Sequence, residues 1–116
     1  MIQRDIEYSG QFSKDVKLAQ KRHKDMNKLK YLMTLLINNA LPLPAVYKDH
    51  PLQGSWKGYR DAHVEPDWIL IYKLTDKLLR FERTGTHAAL FGQSTLPMKF
   101  VNPAPTGLRK TLLVIM

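Results

Sequence analysis

The sequence predicts an α+β fold, an antiparallel sheet with helices packed on it. Three features point there: an alternating segment at the start, two amphipathic helical stretches after it, and about three strand-like segments after those. Helices segregated from strands, in place of regular strand–helix alternation, are the pattern of α+β domains. The 116 residues and 44% apolar content suit one domain with one modest core.

Each element has a local cause. In residues 2–8, Ile2, Arg4, Ile6 and Tyr8 fall on one face and Gln3, Asp5 and Glu7 on the other, the period of a strand. Ser9 or Ser13 then caps a helix by accepting from unpaired first-turn amides. Phe12, Val16 and Ala19 form its apolar stripe. A break over residues 23–27 precedes a second helix with the stripe Leu29, Leu32, Met33, Leu36 and Ile37. Asn38 and Asn39 end it, because asparagine tolerates the left-handed conformation. Leu41-Pro42-Leu43-Pro44 makes a stiff, extended connection. A strand is expected over residues 58–64, then turn chemistry at Glu65-Pro66-Asp67. Residues 68–74 are apolar on both faces and predict a central strand. Thr75-Asp76 turns the chain into an alternating strand over residues 77–83, with Leu79 and Phe81 on one face, which Thr84-Gly85-Thr86 ends. Trp56 and Trp68 read as core residues. Residues 93–116 carry no acidic residue, three of the seven prolines and an apolar end. They are expected to be an extension beyond a folded domain of residues 1–92.

Composition narrows the function. Without cysteine there is no disulfide or thiolate chemistry, which suits a reducing compartment. No apolar run approaches the roughly 20 residues of a membrane span, and the N-terminus lacks a secretory layout. A cytoplasmic protein without a membrane partner is expected. The six glycines form no phosphate-binding loop, no serine elbow is present, and the spacing of His50 and His63 is not that of a helical metal pair. The net charge of +8 and pI near 9.8 favour a polyanionic partner.

Histidine titrates near neutral pH and both takes and gives protons. His23 lies in the basic helical stretch and reads as a solvated surface residue, whereas His50, His63 and His87 fall in the strand half. Cutting RNA without a metal needs a base for the 2′-hydroxyl, an acid for the departing 5′-oxygen, and cations for the phosphate. The three strand-half histidines supply proton transfer, and Asp61 and Asp67 lie near enough in sequence to orient a ring or accept a proton. Lys48, Lys57, Arg60 and Arg83 are the candidate phosphate ligands, Arg83 above all because a guanidinium engages two oxygens at once.

Four segments form a more specific pattern: Lys48-Asp49-His50-Pro51-Leu52, then Gly54-Ser55-Trp56-Lys57-Gly58-Tyr59-Arg60-Asp61-Ala62-His63, then Pro66-Asp67-Trp68-Ile69-Leu70-Ile71-Tyr72, and Arg83-Thr84-Gly85-Thr86-His87. Over residues 1–92 the chain resembles the YafQ branch of the RelE/ParE toxin superfamily. The resemblance implies a microbial RNase (RelE-like) fold, a small twisted antiparallel sheet with an N-terminal helical hairpin. It implies a type II toxin that enters the A site of the 70S ribosome and cleaves messenger RNA there. It also implies a cognate antitoxin of the DinJ kind, which wraps the toxin and with it binds operator DNA to repress their operon.

Carried over by position, the resemblance makes His87 the leading general acid/base. His50, His63 and Asp67 complete the proton-transfer set, and Asp61 supports it. Arg83 is implied to stabilise the scissile phosphate and Phe91 to position the substrate. The 2′-hydroxyl attacks, leaving a 2′,3′-cyclic phosphate and a 5′-hydroxyl end, with no metal or other cofactor expected. The basic helical face, Lys14, Lys17, Lys21, Arg22, Lys24, Lys28 and Lys30, is expected to contact ribosomal RNA. The branch ends near Gly92, whereas this chain continues to Met116. Two other readings compete: a superfamily member that poisons DNA gyrase, which would lack the histidine set, and a basic RNA-binding domain without turnover.

Overall fold

The computed structural model describes residues 3–92. Their elements run β1 (Asp5–Tyr8), α1 (Gly10–Lys21), α2 (Met26–Ile37), β2 (His50–Pro51), β3 (Arg60–Glu65), β4 (Trp68–Leu74), β5 (Leu78–Gly85) and α3 (His87–Phe91). The expected extension, residues 93–116, lies outside the described residues. Contacts divide the chain into two units, Met1–Thr84 and Gly85–Met116, each described by itself.

The first unit is built on a five-stranded sheet in the order β1-β5-β4-β3-β2. Its core gathers Phe12 and Ala19 of α1, Leu29, Leu32 and Leu36 of α2, and Ala62, Trp68, Leu70, Tyr72, Leu79 and Phe81 of the sheet. The helical hairpin therefore covers one face. Each fully buried leucine or phenylalanine there stabilises the fold by ~2 kcal/mol. Strand side chains alternate, so Ile69 and Ile71, equally buried, point to the opposite face. That is why β4 reads as apolar throughout and lies third of five.

Caps connect helices to the sheet. Ser9, not Ser13, caps α1: its Oγ accepts from the Phe12 amide at 2.8 Å, and its hydroxyl donates to the Glu82 carbonyl of β5 at 2.6 Å. Asp25 caps α2 through the Asn27 amide. Asn39 takes the left-handed conformation, φ 56°, just past the end of α2.

The structure corrects several expectations. The sheet is mixed, because β1 pairs in parallel with β5, Ile6 against Leu79 and Tyr8 against Phe81. Parallel neighbours need a long crossover, and everything from α1 to β4 separates these two strands. Ile37, expected in the α2 stripe, lies at the helix end and is exposed, while Leu35 packs against the core. Tyr8 is about half exposed yet stacks on Phe12 and Phe81. Trp68 is core, its indole donating to Thr84 Oγ1, but Trp56 is only half-buried, edge-on to Tyr59. Between His63 and Glu65 the β3–β4 register shifts by a bulge, which re-aims the end of β3.

In the second unit Thr86 caps α3 through the Ala89 amide at 3.0 Å. Leu90 is buried, and a Cβ at Gly85 would stand 3.2 Å from its side chain. His87 and Phe91, one helical turn apart, have ring centroids 6.2 Å apart.

Candidate active site

The site starts from pairing of β2 with β3, which sets His50 opposite Asp61. Asp61 and His63 are two apart on β3 and share the sheet face away from Ala62, which packs among the helices. Asp61 is almost wholly buried. One carboxylate oxygen, Oδ1, stands 3.2 Å from His50 Nδ1 and 3.9 Å from His63 Nε2. The two imidazoles have centroids 6.4 Å apart, tilted by 55°. His50 is about half exposed and His63 more covered.

A second contact decides how His50 is used. Its Nδ1 lies 2.8 Å from the Lys48 carbonyl. A carbonyl only accepts, so Nδ1 carries the proton and Nε2 is the basic nitrogen. Lys48 is held in the left-handed conformation, φ 49°, which turns its carbonyl towards the ring. Its own ammonium is exposed.

The sheet thus brings His50, His63 and Asp61 together. Asp67 stands exposed at the tip of the β3–β4 hairpin. His87 and Phe91 lie on α3 in the second unit, His87 half-buried and Phe91 exposed, so Phe91 is not a core residue there. His23 is exposed at the α1–α2 turn, as expected, with φ 60°.

The two candidate phosphate-binding arginines already hold carboxylates. Arg83 donates from Nε and Nη2 to Asp15, at 2.7 and 3.2 Å, and Asp15 Oδ2 also accepts from the Thr84 amide at 3.1 Å. This fork takes one edge of the guanidinium, Nε with Nη2, and leaves Nη1 outside it. Arg60 donates from Nε and Nη2 to Asp49, both at 3.2 Å. Neither Asp15 nor Asp49 is legible as a site residue from strand patterning. Asp15 had one available signal, a carboxylate inside the α1 stripe between Phe12 and Ala19.

The basic helical face splits in two. Lys14, Lys17, Lys21, Arg22 and Lys30 are exposed. Lys24 and Lys28 instead reach Glu65 on β3, at 3.4 and 3.1 Å, and Lys24 also lies over the Trp68 ring. Lys28 foremost, with Lys24, holds the Glu65 carboxyl below its ordinary pKa. Among the described residues no group of three His, Cys, Asp or Glu side chains is arranged to hold a metal ion. No described helix is long and apolar enough to cross a membrane.

Comparison with known proteins agrees with this frame. A family model described as the bacterial toxin of type II toxin–antitoxin systems, YafQ, matches residues 4–92. The chain is 98% identical over 92 residues to the mRNA interferase toxin YafQ of Escherichia coli K12, covering 79% of this chain and 100% of that protein. It is 39% identical over 89 residues to a putative toxin YafQ of Haemophilus influenzae, covering 72% of this chain and 87% of that one. The crystal structure of the E. coli DinJ–YafQ toxin–antitoxin complex superposes with a TM-score of 0.76 at 98% identity, over 78% of this chain and 100% of the matched one. From its matched sequence and its fold, this chain belongs to the YafQ family of bacterial type II toxins.

Proposed function

We propose that the chain is an mRNA interferase, an endoribonuclease that cuts message in the ribosomal A site by acid–base chemistry carried on its own side chains. The observation that carries this is two imidazoles flanking the buried Asp61 on one sheet face. The near-identity to an E. coli mRNA interferase supports the substrate class.

In this reading a basic imidazole nitrogen takes the proton of the 2′-hydroxyl. The 2′-oxygen bonds to phosphorus, the bond from phosphorus to the 5′-oxygen breaks, and a second protonated group returns a proton to that oxygen. The products are a 2′,3′-cyclic phosphate and a 5′-hydroxyl end. His50 and His63 supply this chemistry on the sheet, with Asp61 fixing their orientation. The family pattern adds His87 as the leading acid/base, Asp67 as a further proton-transfer group and Phe91 as a substrate contact. Arg83 offers the phosphate its outer guanidinium edge, and Lys48 adds positive charge beside His50. The exposed helical lysines carry the ribosome contact. A DinJ-type antitoxin is the cognate partner, since the E. coli relative is crystallised with DinJ, and operator DNA is reached through that complex.

Purified chain on programmed ribosomes tests this. A discrete cut within the A-site codon is expected by primer extension, undiminished when the chain alone is dialysed against EDTA beforehand and the ribosomes keep their magnesium. His63→Ala and His87→Ala should each lower the rate by about 10² to 10⁴-fold while antitoxin binding is kept. Loss of the cut after that dialysis, restored by adding back a transition metal, would remove the metal-free chemistry. Trapped gyrase–DNA adducts without RNA cleavage would move the chain to the gyrase-poisoning class.

A further inference from the structure

His50 belongs to a strand of only two residues at the sheet edge. Two backbone pairs with β3 are a weak hold for a ring that has to meet a carboxylate in one orientation. The residue before it supplies a stronger one. Asp49 Oδ1 accepts from the Tyr72 hydroxyl at 2.5 Å and from Arg60 Nε at 3.2 Å, and its Oδ2 accepts from Arg60 Nη2 at 3.2 Å. Arg60 and Tyr72 are themselves register partners on β3 and β4, and Tyr72 is wholly buried among the helix-side core. Burial, then Asp49, raises the Tyr72 phenol far above its ordinary pKa, so it stays a donor at neutral pH. Consecutive residues thus face opposite sides of the edge: Asp49 is bonded to the helix-side pair, and His50, its Nδ1 on the Lys48 carbonyl, stands 3.2 Å from Asp61 Oδ1.

We propose that Asp49, clamped by Arg60 and Tyr72, is a positioning residue that sets the His50 ring between the Lys48 carbonyl and Asp61 for RNA cleavage. The inference rests on the reading of His50 as a proton-transfer group. It also gives Arg60, which the sequence offered as a phosphate ligand, a second task. The ion pair commits the Nε–Nη2 edge of that guanidinium, as Asp15 commits the same edge of Arg83, and so holds the Lys48–His50 corner. No contact of Asp49 with substrate is required. Its effect passes through the placement of one ring, and a displacement near 1 Å at a reacting group costs up to about 10²-fold in rate.

The test is a double-mutant cycle with the full chain. Asp49→Ala is expected to lower kcat on programmed ribosomes by at least about tenfold with KM nearly unchanged. On a His50→Ala background the same substitution should produce no further loss, because the ring it positions is gone. Tyr72→Phe keeps the ring in the core and removes one bond of the clamp, so a smaller loss with the same non-additivity is expected. It serves if Asp49→Ala does not fold. A loss that persists in full on the His50→Ala background, or a rise in KM alone, overturns the proposal. The His50 ring signals in NMR spectra of the isolated chain give a readout without turnover. They should shift and broaden in Tyr72→Phe, and an unchanged spectrum also overturns the clamp. A parent chain that cuts no message would refute the functional reading, and the spectra would still decide the clamp.

Discussion

Asp15 shows how one side chain joins folding to the site. It is a buried carboxylate on α1 that takes a two-point bond from Arg83 and a third from the Thr84 amide. Removing it strands a guanidinium and an amide together. Asp15→Ala is therefore expected to lower unfolding free energy by ~2–4 kcal/mol, measured by urea denaturation. An unchanged midpoint would mean that solvent satisfies both groups. The partners are 68 residues apart in the chain, so no spacing rule announces them. The histidines, in contrast, are conspicuous in the sequence by chemistry alone. What was not legible is that one buried carboxylate oxygen faces two of them.

At the scale of elements, strength of local signal decided what could be read. β4 is a run of seven residues buried on both faces along most of its length, and its bounds in the structure match those expected. The α1 cap, the α2 end and the β3–β4 turn follow from the side chains that make them. β2 has two residues and no pattern, and the bulge at the end of β3 has no sequence mark. The latch between α2 and β3 offers a pH test. Glu65 is held below its ordinary pKa by Lys28 first, and then Lys24. A carboxylate depressed in the folded state stabilises above its unfolded pKa of about 4.3, and that contribution disappears as pH falls through the lower folded value. Glu65→Gln should thus cost ~0.5 kcal/mol at neutral pH, and parent and variant should converge below about pH 4. A gap that widens on acidification would contradict the latch.

For the whole molecule, net charge is the governing quantity. If the proposed ribosome contact is made, a surplus of +8 on 116 residues makes it a counterion-release process. With six or more phosphate contacts, affinity for ribosomes should fall on the order of 10³-fold between about 50 and 200 mM salt. Lys17→Glu with Lys21→Glu should flatten that slope, whereas Lys24→Gln and Lys28→Gln should act mainly on stability, since those two lysines hold Glu65. Equal slopes for both pairs, measured by sedimentation at several salt concentrations, would argue against the split of the basic face.

By itself the sequence determined the α+β class, the order of the main helices and strands, a serine cap for the first helix and the set of titratable residues. These depend on neighbours within a turn or a strand, where periodicity and capping act. Tertiary structure alone decided that β1 joins β5 in parallel, that His50 and His63 share Asp61, and that Asp15 and Asp49 hold the two arginines. Those outcomes come from segments distant along the chain meeting around a common core, and a distance in space between remote residues leaves no period in the sequence.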